Sequence, residues 1–187
     1  MGCFPITADI NECGIMSTNF TFEQEAFVGN FDDIASYTRN SSNPTLINSL
    51  VLKSGKQVYD LIFREDNPMS TLAETTEEKA YAKPSKVEGE LVVYGRTPEA
   101  ANIKRLLDSG KHFIILKQAA KKGTNAYYVI LGLESGLKPA AGENFVGDKG
   151  GYVHKFMADN LTYPQEFIWA DAGLAATEAI ITELQVA

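Results

Sequence analysis

A chain of 187 residues, 44% of them apolar and 22% charged, is long enough for one well-formed core, or for one core with a projecting extension. Its net charge of −7 excludes a surface built to grip nucleic acid, because phosphates are held by clustered lysine and arginine and here the basic residues are scattered. No apolar run approaches the roughly 18 residues that span a bilayer, and the opening MGCFPITADINEC lacks the basic and apolar regions of a secretory signal.

Residues 1–31 mix phenylalanine with polar residues and keep no period, which predicts an N-terminal arm or irregular strand. Of its aromatics Phe20, Phe22, Phe27 and Phe31, at least two are expected in the core. Residues 32–187 are expected to form a single domain. FDDIASYTRNSSNP reads as a short turn or helix, with Pro44 blocking continuation. The segments 45–53 and 56–64 then alternate apolar and polar residues around Ser54-Gly55, which predicts an antiparallel hairpin. Residues 65–85, polar and with two prolines, are a predicted long loop, far beyond the usual length of about 4–6 residues.

A strand is expected over 86–95, followed by the best helix signal, with Thr97 as N-cap, Pro98 at the first position and Glu99 in the first turn. Ala100, Ile103, Leu106 and Leu107 would form its buried face, Lys104 and Arg105 its exposed one, and Gly110 its stop. Strands are predicted at 112–117, 126–133, 152–158 and 165–170. Gly132 and Gly136 are expected to release the 126–133 strand into a second long loop, 137–151. Residues 171–185 suit either a helix or a final strand. The sum is six to eight strands and one firm helix, a mainly β, antiparallel sandwich or barrel with one flanking α-helix.

Signatures of chemistry are mostly missing. The Gly-Lys pairs Gly55-Lys56 and Gly110-Lys111 lack the rest of a phosphate-binding loop, and GLESGL lacks the G-x-G-x-x-G order of a dinucleotide site. Cys3 and Cys13 make neither a disulfide framework nor a zinc pattern, and are read as two reduced thiols. His112 and His154 have no local nucleophile, Asp32-Asp33 is too short for a calcium loop, and the N-x-[ST] triplets at Asn19, Asn40 and Asn160 are discounted. No catalytic, cofactor-binding or metal-binding residue is therefore named, and a non-enzyme is expected. Tyr127, Tyr128, Tyr152 and Trp169 suggest a carbohydrate-stacking platform, weakened because Tyr127 and Tyr128 should point to opposite faces of one strand. The two long loops fit segments ordered by a partner on assembly.

From about residue 86 to 170 the order is a strand, the Thr-Pro-Glu helix, SGKHFIILKQ, a Lys-Gly turn, AYYVILGLESGLKPAAG, a Gly-rich loop, GGYVHKFMADNLTYPQEF, and an aromatic strand ending in Trp169. This resembles virion structural proteins of tailed bacteriophages, above all tail tube proteins from phages of Bacteroidetes-type hosts. The resemblance implies a β-sandwich or barrel of the tail-tube type, assembled in the host cytoplasm into the virion. Such subunits form rings, typically hexamers, stacked as a hollow conduit through which DNA passes without specific binding. Other tail proteins would be its neighbours, and arms and long loops would bridge subunits. A head-tail connector, tail terminator or capsid decoration protein is the alternative within the same class.

Overall fold

The computed structural model describes residues 22–62, 72–76, 84–141, 145–146 and 150–186. In chain order the strands are β1 (Phe22–Asn30), β2 (Ile34–Arg39), β3 (Leu46–Leu52), β4 (Tyr59–Ile62), β5 (Ala73–Thr76) and β6 (Ser85–Tyr94). After helix α1 (Pro98–Asp108) come β7 (His112–Gln118), β8 (Tyr128–Leu131), β9 (Lys138–Pro139), β10 (Phe145–Val146), β11 (Gly151–Leu161) and β12 (Glu166–Ile168), and α2 (Leu174–Gln185) ends the chain. One sheet has seven strands in the order β2-β3-β12-β8-β7-β1-β4. The other has five, β10-β11-β6-β5 with β9 also on β11. Among the described residues every pairing is antiparallel except β12 on β3.

Two cores follow from the alternation of side chains along the central strands. In β7, Ile114 and Leu116 face the five-stranded sheet, where they meet Val87, Leu91, Phe156 and Ala158. Phe113 and Ile115 face the other way and join a second core with Ile181 and Leu184 of α2. Val129 and Leu131 of β8 divide from Tyr128 and Ile130 in the same manner. That is why FIIL in β7 and YVIL in β8 are unbroken apolar runs: the middle of a strand covered on both faces has no position for a polar residue. The result is a mainly β sandwich with α1 flanking it and α2 forming a third layer.

α1 begins as its sequence dictates. The Thr97 hydroxyl accepts the Ala100 N–H at 3.2 Å, and Pro98 supplies the first helical position. Thr97→Ala is expected to cost about 1 kcal/mol, read as a fall of about 2–4 °C in Tm for a chain of this size. The helix stops directly before Gly110, as expected, with Ser109 as C-cap, its N–H and hydroxyl both donating to the Leu106 carbonyl. The buried face differs in part: Ala100 and Leu107 are inside as expected, but Lys104 joins them while Ile103 and Leu106 are 45% and 50% exposed. The reason is electrostatic. Asp108 offers the Lys104 ammonium a carboxylate one turn away, so the lysine packs inward with its charge paired.

Other elements depart from the sequence reading. The predicted hairpin is not one: β3 lies between β2 and β12, whereas β4 pairs with β1 at the far edge of the same sheet. The Lys53–Lys56 turn forms, but Val58 then sinks into the α2 core and its N–H bonds the Leu184 carbonyl at 2.8 Å, which carries the chain across. FDDIASYTRNSSNP is a single 3-10 turn, Phe31–Asp33, and then strand β2, followed by a turn in which the Asn40 side chain accepts the Ser42 and Asn43 N–H groups. Residues 22–30, read as part of an arm or irregular strand, are a strand, β1, paired on both sides with a register shift between Phe22 and Ala26, and Phe22 and Phe27 are buried as expected. Residues 1–21 lie outside the described residues.

The undecided C-terminal segment is a helix, because Thr177, Ile181 and Leu184 repeat at helical spacing and all three are buried. The two long loops each contain paired backbone. β5 hydrogen-bonds β6 within 65–85, and β9 and β10 line up end to end along β11 within 137–151. Gly132 and Gly136, at φ +85° and +73°, build a tight turn closed by the Gly136 N–H on the Gly132 carbonyl at 3.0 Å. Rather than releasing a loop, the turn returns the chain to His112, where Leu137 is bridged on both sides and buried. Packing within each sheet is equally close: Phe113 lies over Gly29, and Phe156 over Gly89, its cross-strand partner.

Candidate functional site

The residues considered for chemistry from sequence are dispersed. Lys56 sits in the turn before β4 and pairs with Asp33 at 3.4 Å, and Lys111 lies over the Phe31 ring at 5.8 Å. Asp33 is held by Asn30, whose amide hydrogen bond keeps its carboxyl below the usual range. His112 Nε2 meets the Leu107 carbonyl at 3.0 Å, while His154 is buried against Asp108 at 2.7 Å. Cys3, Cys13 and Phe20 lie outside the described residues. Among the described residues no group of three or more His, Cys, Asp or Glu side chains is placed to hold a metal, and no helix is long and apolar enough to cross a membrane.

The aromatic platform does not assemble. Tyr127 and Tyr128 are each 3% exposed and stack edge-on with ring centroids 4.6 Å apart in the α2 core. They share a side because Tyr127 still belongs to the preceding turn, its N–H on the Thr124 carbonyl, so strand alternation starts one residue later. The Tyr127 hydroxyl donates to Glu23 at 3.1 Å. Burial, reinforced for Tyr127 by that carboxylate, pushes both phenols up, Tyr128 to about 12.

Sequence reasoning missed a tightly joined charged cluster that ties β2 to β12. Arg39 Nε donates to Glu166 Oε1 at 3.1 Å, and its terminal nitrogen reaches both Glu166 and Glu134, the latter at 3.4 Å. Tyr37 and Tyr163 lie on the guanidinium, with ring centroids 5.2 and 4.9 Å away. Glu134 Oε2 accepts the Thr162 N–H at 2.6 Å. Glu166 is 2% exposed, and burial raises its pKa against the pull of Arg39. Ring planes and carboxylates take up the guanidinium, so the cluster is a tie between strands and offers no open cation. Nothing local announces it, since Arg39 and Glu166 stand 127 residues apart.

What remains open is backbone. Among the described residues β2 pairs only with β3, and β5 only with β6, so each sheet presents a strand bonded on one side. β5, of sequence AETT, is exposed at all four positions. Ala35, Ser36 and Thr38 are exposed along β2, with the Thr38 and Ser49 hydroxyls sharing a hydrogen bond of 2.7 Å. The opposite edge, β4, is partly guarded by the end of α2 through Leu184 and through Gln185, whose amide donates to Asp60 at 2.9 Å. An edge of this kind can accept another chain as an added strand, backbone to backbone. The small polar residues on β2 and β5 make such an edge unattractive to nonspecific apolar partners.

Comparison with protein-family models, with curated proteins and with solved structures finds no match to this chain.

Proposed function

We propose that this chain is a virion structural protein, the self-assembling subunit of a tailed-phage tail tube, in which rings of copies, typically hexameric, stack into a conduit for DNA. The observation that carries the reading is that, among the described residues, each sheet presents an edge strand bonded on one side, β2 in one and β5 in the other, in a mainly β sandwich. In this reading the edges pair with neighbouring copies, and the segments around β5 and β10 contact adjacent subunits or rings. The net charge of −7 suits a lumen wall that DNA crosses without sticking, since like charges repel. The subunit is no enzyme, its partners are copies of itself and other tail proteins, and its place is the virion.

The test is negative-stain microscopy combined with light scattering of the purified chain. Rings and stacked tubes are the expected result. Closed single rings that never stack would move the reading to a connector or terminator. A compact monomer that persists at high concentration would overturn self-assembly altogether.

A further inference from the structure

The junction of α1 with the five-stranded sheet contains a charged cluster that the assembly reading does not use. α1 leaves β6 and leads into β7, and it packs on β6, β9 and β11. Asp108, in its last turn, holds the Lys104 ammonium with Oδ2 and lies 2.7 Å from His154 Nδ1 with Oδ1. His154 projects from β11 on the same side as Phe156 and Ala158, beside Leu91, its cross-strand partner, and is 3% exposed. An ionised carboxylate shared with an ammonium only accepts, so Nδ1 carries a proton, and burial of the ring disfavours a second one on Nε2.

We propose that the Lys104–Asp108–His154 cluster is a pH-operated latch, which keeps α1 on the sandwich while His154 is neutral and lets α1 open when His154 is protonated. The groups facing the imidazole set the direction. Lys104 and His112 oppose a second positive charge, Asp108 favours it, and the apolar surroundings at Leu91 and Phe156 deny it water. Burial leads and holds the pKa of His154 below its ordinary value. Glu88 and Glu90 of β6 alternate to the face away from Leu91, Lys155 of β11 is exposed on that outer side, and Lys138 of β9 is taken by Asp159 at 3.0 Å. None of these adds a counter-charge inside.

The folded pKa lies below the free value, so an opened, solvated His154 takes a proton first as pH falls. The closed state is therefore fully favoured above about pH 6.5 and loses ground below it, by up to about tenfold in the opening constant per pH unit, until the folded pKa is passed.

Hydrogen exchange of the full chain, read by mass spectrometry at pH 7.5 and 5.0 and corrected for intrinsic rates, tests the latch. Peptides covering 98–108 should exchange several-fold faster at the lower pH, while β7 and β8 stay protected. His154→Gln, whose amide can still donate to Asp108, should abolish that acid response. Acceleration of the same size in the variant, or none in the wild type, overturns the proposal. Should the variant fold poorly, the His154 ring-proton resonance of the wild type decides. Titration well below a free imidazole, in step with α1 opening, supports the latch, and titration near the free value removes it.

Discussion

Replacing Arg39 with alanine is expected to cost about 3 kcal/mol of folding stability, at the lower end of the range for breaking a buried ion pair because its guanidinium is partly solvated. The cost arises on the other partner. Glu166 is 2% exposed and cannot recover its hydration when the cation is removed, and Glu134, at 17%, loses a second contact. Equilibrium urea denaturation would show the midpoint shifting with the slope unchanged. The deficit should also depend on pH in a defined direction. Glu166 already has a folded pKa above the ordinary 4.5, and without Arg39 it rises further. A carboxyl raised in this way favours the fold fully below the unfolded pKa, and that contribution is lost as pH rises through the folded pKa. The variant should therefore recover toward wild type as pH falls to about 4.5. The double replacement Arg39→Met with Glu166→Leu should regain most of the loss, since an apolar pair of similar volume needs no hydration. A loss under about 1 kcal/mol, the value of an exposed pair, would mean that water reaches Glu166.

Gly132→Ala should be the next most damaging single change described here. At φ +85° a side chain is strained, and an added Cβ would lie 2.7 Å from Leu137 Cγ and 2.9 Å from both the His112 carbonyl oxygen and the Leu137 nitrogen. Two of those three neighbours are backbone atoms of the bridge that joins β7 to residue 137, so neither can yield without breaking it. Strain of about 1–2 kcal/mol and overpacking of about 1–2 kcal/mol together give roughly 3 kcal/mol. Gly55→Ala is the control, because Gly55 has a similar φ of +74° with nothing within 4 Å of the added carbon. Thermal unfolding should place Gly132→Ala several degrees below Gly55→Ala, at about 2–4 °C per kcal/mol. Equal melting temperatures would show that close packing at the turn contributes nothing.

The stretch AYYVILGLESGL illustrates how far residue patterns reach. Its unbroken apolar run marks a strand, and the run is continuous because α2 covers one face and the second sheet the other. The role of its glycines was not legible, because it depends on how near His112 and Leu137 come once β7 and β8 are paired. The 45–64 region shows the opposite failure. Its Ser-Gly turn is real, yet the flanking strands separate as Val58 is buried under α2 with its N–H on the Leu184 carbonyl. The apolar pattern of α1 places Lys104 off its buried face, and a carboxylate in the next turn reverses that.

Local sequence by itself determined the mainly β class, the start of α1 at Thr97, the central strands β6, β7, β8 and β11, and an acidic chain without a catalytic signature. These are properties of short windows: side-chain period, a capping residue, composition. Only the tertiary structure decided which strands are neighbours, which edges stay open, and which charges are paired inside. Those outcomes rest on contacts between residues such as Arg39 and Glu166, or Asp108 and His154, that lie far apart in the chain. The free energy of such contacts comes from desolvation and close packing, which no window of sequence contains.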